Sequence, residues 1–189
     1  MNDWHPGIGD PTFLGWFTAA AYAATALLCF RRFRLAAPPV PPTHQGILAA
    51  RTRRRFWLIT GAVLVALGIN KQLDLQSFAL DVGRTLAKSE GWYESRRAVQ
   101  YVFLTGFAVA GAAAAMAVIW VFRRGGAWVR LAQFGLVALC AFVIVRAALF
   151  HHVDTMLGTS IGFFRLNHIL ELGGIAVIAA AAIGASARH

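Results

Sequence analysis

Five blocks of mostly apolar residues, separated by short polar segments, divide the chain. Each block is close to the roughly 20 residues that an α-helix needs to cross the hydrocarbon core of a bilayer. A soluble domain has shorter amphipathic stripes, and about 25% of its residues are charged. Here 14% of the residues are charged and 58% are hydrophobic. The blocks therefore predict an all-α, polytopic membrane helical bundle that forms a single transmembrane domain over residues 1–189.

The limits of the apolar blocks give the limits of the predicted spans. The five spans cover residues of about 12–30, 56–75, 98–122, 131–150 and 163–187. Between the second and third spans, apolar residues recur at the spacing of an amphipathic helix, beginning at Leu75 and ending at Leu86. This pattern predicts a short interfacial amphipathic helix over about 77–90, on the outer side of the membrane.

Lysine and arginine are distributed unequally between the two ends of these spans. Cytoplasmic loops of membrane proteins carry an excess of both residues. One end holds 11 of the 18 basic residues and no acidic residue, whereas all 8 acids lie at the other end. The predicted orientation is therefore N-out and C-in, in the inner (cytoplasmic) membrane of the cell. The net charge of +10 then reports topology, and no nucleic-acid partner is expected.

Polar and ionisable residues collect at the outer ends of the spans. They are Lys71, Asp74, Arg146, His151, His152, Asp154, Asn167, His168 and Glu171. Such residues are costly inside a bilayer, so each of them is a functional hypothesis by default. A polar layer on one side of the membrane is typical of a site. The N-terminal tail, which carries His5 and Asp10, is a segment that could close over this site.

The start of the fifth span carries the most specific pattern in this layer. Asn167, His168 and Glu171 share one helical face, because residues three and four positions apart are neighbours on a helix. Gly174 continues this face and would let a neighbouring helix approach closely. Glu171 lies about one turn inside the apolar block, where an unpaired carboxylate is costly. Its candidate partners are a metal ion, Arg146, Lys71 and a histidine.

The convergence of histidines with carboxylates predicts a divalent metal site for a zinc-like ion. The predicted metal ligands are His151, His152, His168 and Glu171. Zinc binds imidazole nitrogen and carboxylate oxygen, and a catalytic zinc site keeps one position open for water. The predicted catalytic groups are Asp154, Glu171 and Asp74, and the predicted substrate-binding groups are Arg146, Lys71 and Asn167. The first hypothesis is a metal-dependent hydrolase or transferase whose substrate is a membrane lipid or another amphiphile.

Two other functions remain open at this point. In one, the chain binds haem b, with His151 or His152 facing His168 as axial ligands, and carries electrons to or from a quinone. In the other, it is a non-catalytic subunit or assembly factor of a larger membrane complex, or a homo-oligomer. The small residues at 110–115 would then form a helix-packing face. Transport is disfavoured, because no ionisable residue falls at the middle of a predicted span.

Overall fold

The computed structural model describes residues 11–36, 43–73, 96–123, 125–148, 160–161 and 164–185. In this part of the chain there are five helices, named α1 (Phe13–Leu35), α2 (His44–Leu73), α3 (Arg96–Phe122), α4 (Ala127–Ala148) and α5 (Leu166–Gly184). Two strands of two residues each, β1 (Ser160–Ile161) and β2 (Phe164–Arg165), pair antiparallel just before α5. The predicted helical bundle is confirmed. The predicted interfacial helix over 77–90 lies outside the described residues.

The outer surface of the bundle is apolar. Leu27 on α1 is 68% exposed, Phe134 on α4 is 69% exposed and Ile183 on α5 is 59% exposed. Large apolar faces of this kind mark contact with a non-aqueous environment or a partner. By length and composition, α1, α2, α4 and α5 can each cross a membrane, whereas the described apolar part of α3, Val109–Phe122, is shorter. The protein is therefore a membrane-spanning helical bundle.

The direction of each helix follows from the contacts between α1, α2 and α5. Phe30 of α1 packs against Gly61 of α2, and Tyr22 packs against Gly68, so these two helices are antiparallel. Two contacts join α1 to α5: the Tyr22 hydroxyl donates to Glu171 Oε1, and Arg32 Nη2 donates to the Ala185 carbonyl oxygen. Residue numbers increase together along both helices, so α1 and α5 are parallel.

The remaining contacts complete an alternating arrangement. Trp128 of α4 packs against Gly184 of α5, and Leu139 packs against Gly174, so α4 and α5 are antiparallel. The Gln133 side chain of α4 donates to the Val118 carbonyl oxygen of α3 over 3.0 Å. Ile144 of α4 packs against Gly111 of α3, so these helices are also antiparallel. Consecutive helices thus reverse direction, and the bundle has a Glu171 end, where α1 and α5 begin, and an Arg32 end, where they finish.

Helix α2 begins 12 residues before the predicted span, which started at Phe56. Thr43 Oγ1 accepts a hydrogen bond from the Gly46 backbone N–H over 3.1 Å and so caps the helix. The alanine, leucine and arginine residues that follow favour a helix, so residues 51–55 are helical and do not form a loop. At 30 residues, α2 is about 45 Å long and exceeds the hydrocarbon core of a bilayer.

Helix α5 begins at Leu166, three residues after the predicted start of the fifth span. Phe164 and Arg165 belong to β2, where Phe164 pairs with Ile161 and Arg165 pairs with Ser160. Their backbone groups therefore bond to a strand and not to a helical turn. The side chain of Asn167 accepts from the His168 backbone N–H over 2.7 Å, which satisfies one donor of the first turn.

Helices α4 and α5 cross closely at two glycines. A Cβ atom on Gly135 would lie 3.1 Å from the Gly174 carbonyl oxygen and 2.9 Å from Cγ1 of Ile178. A Cβ atom on Gly174 would lie 3.2 Å from Cβ of Leu139. The close approach predicted for Gly174 is confirmed, and it lets α5 pack tightly against α4 at this residue.

We expect Gly135→Leu to lower the free energy of unfolding by about 1–3 kcal/mol, because the added side chain overpacks the α4–α5 crossing. The control is Gly173→Leu on α5, where an added Cβ atom meets nothing within 4 Å. Denaturant titration of the purified protein in detergent measures both variants. Equal effects of the two substitutions would contradict the close crossing.

Candidate functional site

A buried ion pair connects α2 to α5 at the Glu171 end. Lys71 Nζ lies 3.1 Å from Glu171 Oε2, and the two side chains are 7% and 4% exposed. The Tyr22 hydroxyl of α1 donates to the other carboxylate oxygen, Oε1, over 3.0 Å. Glu171 therefore finds one of the partners predicted for it, Lys71, and also a tyrosine from a third helix. We call these three side chains the Tyr22–Glu171–Lys71 cluster.

The local sequence of α2 brings this cluster together. Gly68 lies three residues before Lys71, and a Cβ atom there would be 3.1 Å from Cβ of Tyr22. The absence of a side chain at Gly68 lets α2 lie against Tyr22. Lys71 follows on the same side of the helix, one turn later. The lysine therefore reaches Glu171 at the point where α1, α2 and α5 meet.

His168 lies on the same face of α5 as Glu171. His168 and Glu171 are 9% and 3% exposed, whereas Ile169 and Leu170 between them are 40% and 48% exposed. This burial pattern confirms the shared helical face predicted from their spacing. Both ring nitrogens of His168 are buried in the bundle. An imidazole and a carboxylate thus point into the interior, one helical turn apart.

The other predicted site residues fall into two groups. Asn167 is half-buried, and its side-chain oxygen bonds to the His168 backbone N–H. Arg146 belongs to α4. Six other residues predicted for the site lie outside the described residues, so their place in it stays a prediction: Asp74, His151, His152, Asp154, His5 and Asp10. Within the described residues, no group of three or more His, Cys, Asp or Glu side chains is placed to hold a metal ion.

Tyr22 was not expected at this site, although the sequence contains a signal for it. Hydroxyl, thiol and guanidinium side chains recur on α1 every three or four positions: Thr18, Tyr22, Thr25, Cys29 and Arg32. All five are buried. A polar stripe at helical spacing inside an apolar block marks the face that packs against other helices. It does not specify which helix the stripe meets.

Comparison with known proteins adds no relative to this picture. The chain matches no protein-family model, no curated protein and no solved structure. The functional argument therefore depends on the contacts of the described residues and on the chemistry of their side chains.

We expect Lys71→Met to lower the free energy of unfolding by about 3–5 kcal/mol, because it leaves the Glu171 carboxylate buried without its cation. The matched control is the double variant Lys71→Met/Glu171→Leu, which removes both charges and should be more stable than Lys71→Met alone. Denaturant titration in detergent compares them. A Lys71→Met protein as stable as the wild type would contradict a buried ion pair.

We expect Tyr22→Phe to lower the free energy of unfolding by about 1.5–3 kcal/mol, as for other hydrogen bonds to charged groups. The same substitution in a Glu171→Leu background should have almost no effect, because the acceptor is then absent. The difference between the two backgrounds measures the Tyr22–Glu171 coupling. Equal costs in both backgrounds would show that the Tyr22 hydroxyl contributes through contacts other than its hydrogen bond to Glu171.

Proposed function

We propose that the protein is a membrane enzyme, a metal-dependent hydrolase or transferase that acts on a lipid or another amphiphile at the Glu171 end of the bundle. The observation that carries the proposal is the burial of His168 and Glu171 on one face of α5, with Glu171 bound by Tyr22 and Lys71. This end is proposed to face the periplasm, with the protein in the cytoplasmic membrane, as the distribution of basic residues predicts.

The cost of the buried charges supports a functional role. An ion pair inside a bundle is often no more stable than apolar residues of the same volume. Ionisable residues within membrane spans accordingly tend to mark substrate paths, proton relays or ligand sites. The Lys71–Glu171 pair, with its flanking tyrosine, is therefore a feature that stability alone does not require.

The position of the cluster supports an amphiphilic substrate. Glu171 is the sixth residue of α5, which places it about 7 Å below the start of the helix. In the proposal, the start of α5 lies at the membrane surface, and the polar linkage of a lipid reaches the level of Glu171. A substrate bound there keeps its chains in the bilayer while its linkage reaches His168 and Glu171.

The donor set fits a zinc-like ion in part. The His168 imidazole is the described residue that would hold it, and His151 and His152 remain the ligands predicted from the sequence. A bound ion of this kind supplies an activated water molecule near neutral pH. In the proposal, Tyr22 and Lys71 fix the orientation of the Glu171 carboxylate, which receives a proton from the attacking water. Glu171 also stays a predicted ligand, since two of its lone pairs remain for other contacts.

The remaining predicted residues have subsidiary roles in the proposal. Asp154 and Asp74 are additional carboxylates for proton transfer. Arg146 would bind an anionic headgroup, because a guanidinium forms paired hydrogen bonds with a phosphate. The Asn167 side chain accepts from the backbone through its oxygen, so its NH₂ group is the part that can donate to a substrate.

Elemental analysis of the purified protein tests the metal site. We expect stoichiometric zinc in the wild type and at least a roughly tenfold lower zinc content in His168→Ala, as for loss of a metal-site residue. The matched control is His44→Ala, which changes an exposed histidine at the first residue of α2, near the opposite end of the bundle. Equal zinc contents in the two variants would contradict His168 as a ligand.

The same preparations distinguish the other functions. A Soret absorption band would show bound haem, and it would favour the haem-protein function over the hydrolase. Protein without metal or chromophore would favour the non-catalytic subunit. If zinc is present, ester-linked and amide-linked lipids in mixed micelles are the first substrates to test, with mass spectrometry of the products. Glu171→Gln should then lower kcat by about 10²–10⁴ if Glu171 transfers a proton.

A further inference from the structure

The Arg32 end of the bundle, opposite the proposed catalytic site, carries a dense cluster of arginines. The described members are Arg31, Arg32, Arg34, Arg51, Arg53, Arg54, Arg55, Arg123 and Arg130. No acidic residue occurs in the sequence between Asp10 and Asp74, or between Glu94 and Asp154. Helices α1 to α4 therefore contribute no carboxylate to neutralise this cluster.

Contacts between α1 and α2 bring these arginines close together. The Arg54 guanidinium of α2 lies 4.8 Å from the ring centroid of Phe33 on α1. Phe33 lies between Arg32 and Arg34 in the sequence, so this contact brings Arg54 to the arginine-rich end of α1. Arg32, which follows Arg31 directly, donates to the Ala185 carbonyl oxygen and so holds this end of α1 against the end of α5. The fold therefore concentrates like charges at this surface.

The adjacent residues show that this surface lies at the edge of the buried apolar interior of the bundle. Phe56 and Trp57, which directly follow Arg55, are buried in the bundle. The Phe56 ring lies 5.2 Å from that of Phe122, the last residue of α3. Arginines that precede Phe56 and follow Phe122 therefore lie just outside the buried apolar interior of the bundle, where the predicted spans would meet lipid headgroups. Arg31, Arg34 and Arg54 are exposed there.

We propose that Arg31, Arg34 and Arg54 form a binding site for the phosphate headgroup of an anionic phospholipid. Like charges brought together without an acid repel one another, and an anion from the bilayer removes this cost. Guanidinium groups bind phosphate oxygens in pairs. Basic clusters between membrane helices are a known setting for anionic headgroups. This site is separate from the proposed catalytic site, because it lies at the other end of α1.

Lipid titration tests the proposal. The wild-type protein in zwitterionic detergent is titrated with phosphatidylglycerol, and the thermal unfolding midpoint is followed. We expect a saturable increase in the midpoint that phosphatidylcholine and inorganic phosphate do not reproduce. For Arg34→Gln/Arg54→Gln, the half-saturating concentration of phosphatidylglycerol should rise roughly thirtyfold. Higher salt should weaken the effect.

The matched control is Arg123→Gln/Arg130→Gln, which removes the same charge from the same end of the bundle. It should raise the half-saturating concentration by less than about threefold if the site lies on α1 and α2. Equal increases in the two variants would overturn the site in favour of diffuse charge. The proposal also fails if phosphatidylglycerol does not change the wild-type midpoint, or if a poly-glutamate peptide raises it as much as the lipid does.

Charge-conserving variants separate binding from folding. Arg34→Lys/Arg54→Lys retains both cations and should bind phosphatidylglycerol more tightly than the glutamine pair. An equal loss in both would show that the paired guanidinium hydrogen bonds, and not the positive charge alone, hold the phosphate. If the glutamine pair does not give monodisperse protein, Arg31→Gln/Arg34→Gln replaces it, because both of these residues are exposed on α1.

Discussion

The buried contact between Lys71 and Glu171 is the constraint that ties α1, α2 and α5 to one arrangement. A carboxylate inside a membrane bundle is tolerated when a cation and hydrogen-bond donors lie beside it. Here the cation comes from α2 and the hydroxyl donor from α1, over distances of 3.1 Å and 3.0 Å. Three helices must therefore meet at Glu171. The glycine at position 68 makes this geometrically feasible by letting α2 lie against Tyr22.

Helix α1 takes part in two different kinds of polar contact, one near its middle and one in its last turn. At the Glu171 end it contributes Tyr22 to a buried cluster that contains an acid, a base and a phenol. At the other end it contributes arginines to a surface to which helices α1 to α4 add no acidic side chain. Arg32 joins that surface to the fold, because its guanidinium bonds to the carbonyl oxygen of Ala185 just after α5. Polar contacts thus hold α1 to α5 at two levels, at Tyr22 near the middle of α1 and at Arg32 in its last turn.

Much of the architecture follows from local pattern, and the differences between predicted span limits and observed helix limits have local causes. The apolar blocks identify the helices because backbone groups in a bilayer must bond within their own segment. The spacing of His168, Glu171 and Gly174 gives the buried face of α5 because helical periodicity is fixed. Helix α2 extends 12 residues before the predicted span because arginine favours helix as well as water. Helix α5 begins three residues after the start of the predicted span because Phe164 and Arg165 pair in a strand.

The sequence by itself determined the fold class, the concentration of arginines at one end of the bundle and the need of Glu171 for a partner. Each of these depends on hydropathy, charge or periodicity along the chain. Only the tertiary structure decided that the partners are Lys71 and Tyr22, which lie 100 and 149 residues away from Glu171. The sequence offers several cations and hydroxyl groups as partners for this carboxylate, and local pattern does not distinguish among them. The choice among them depends on which helices pack together, and it is made by the close approaches at Gly68 and Gly174.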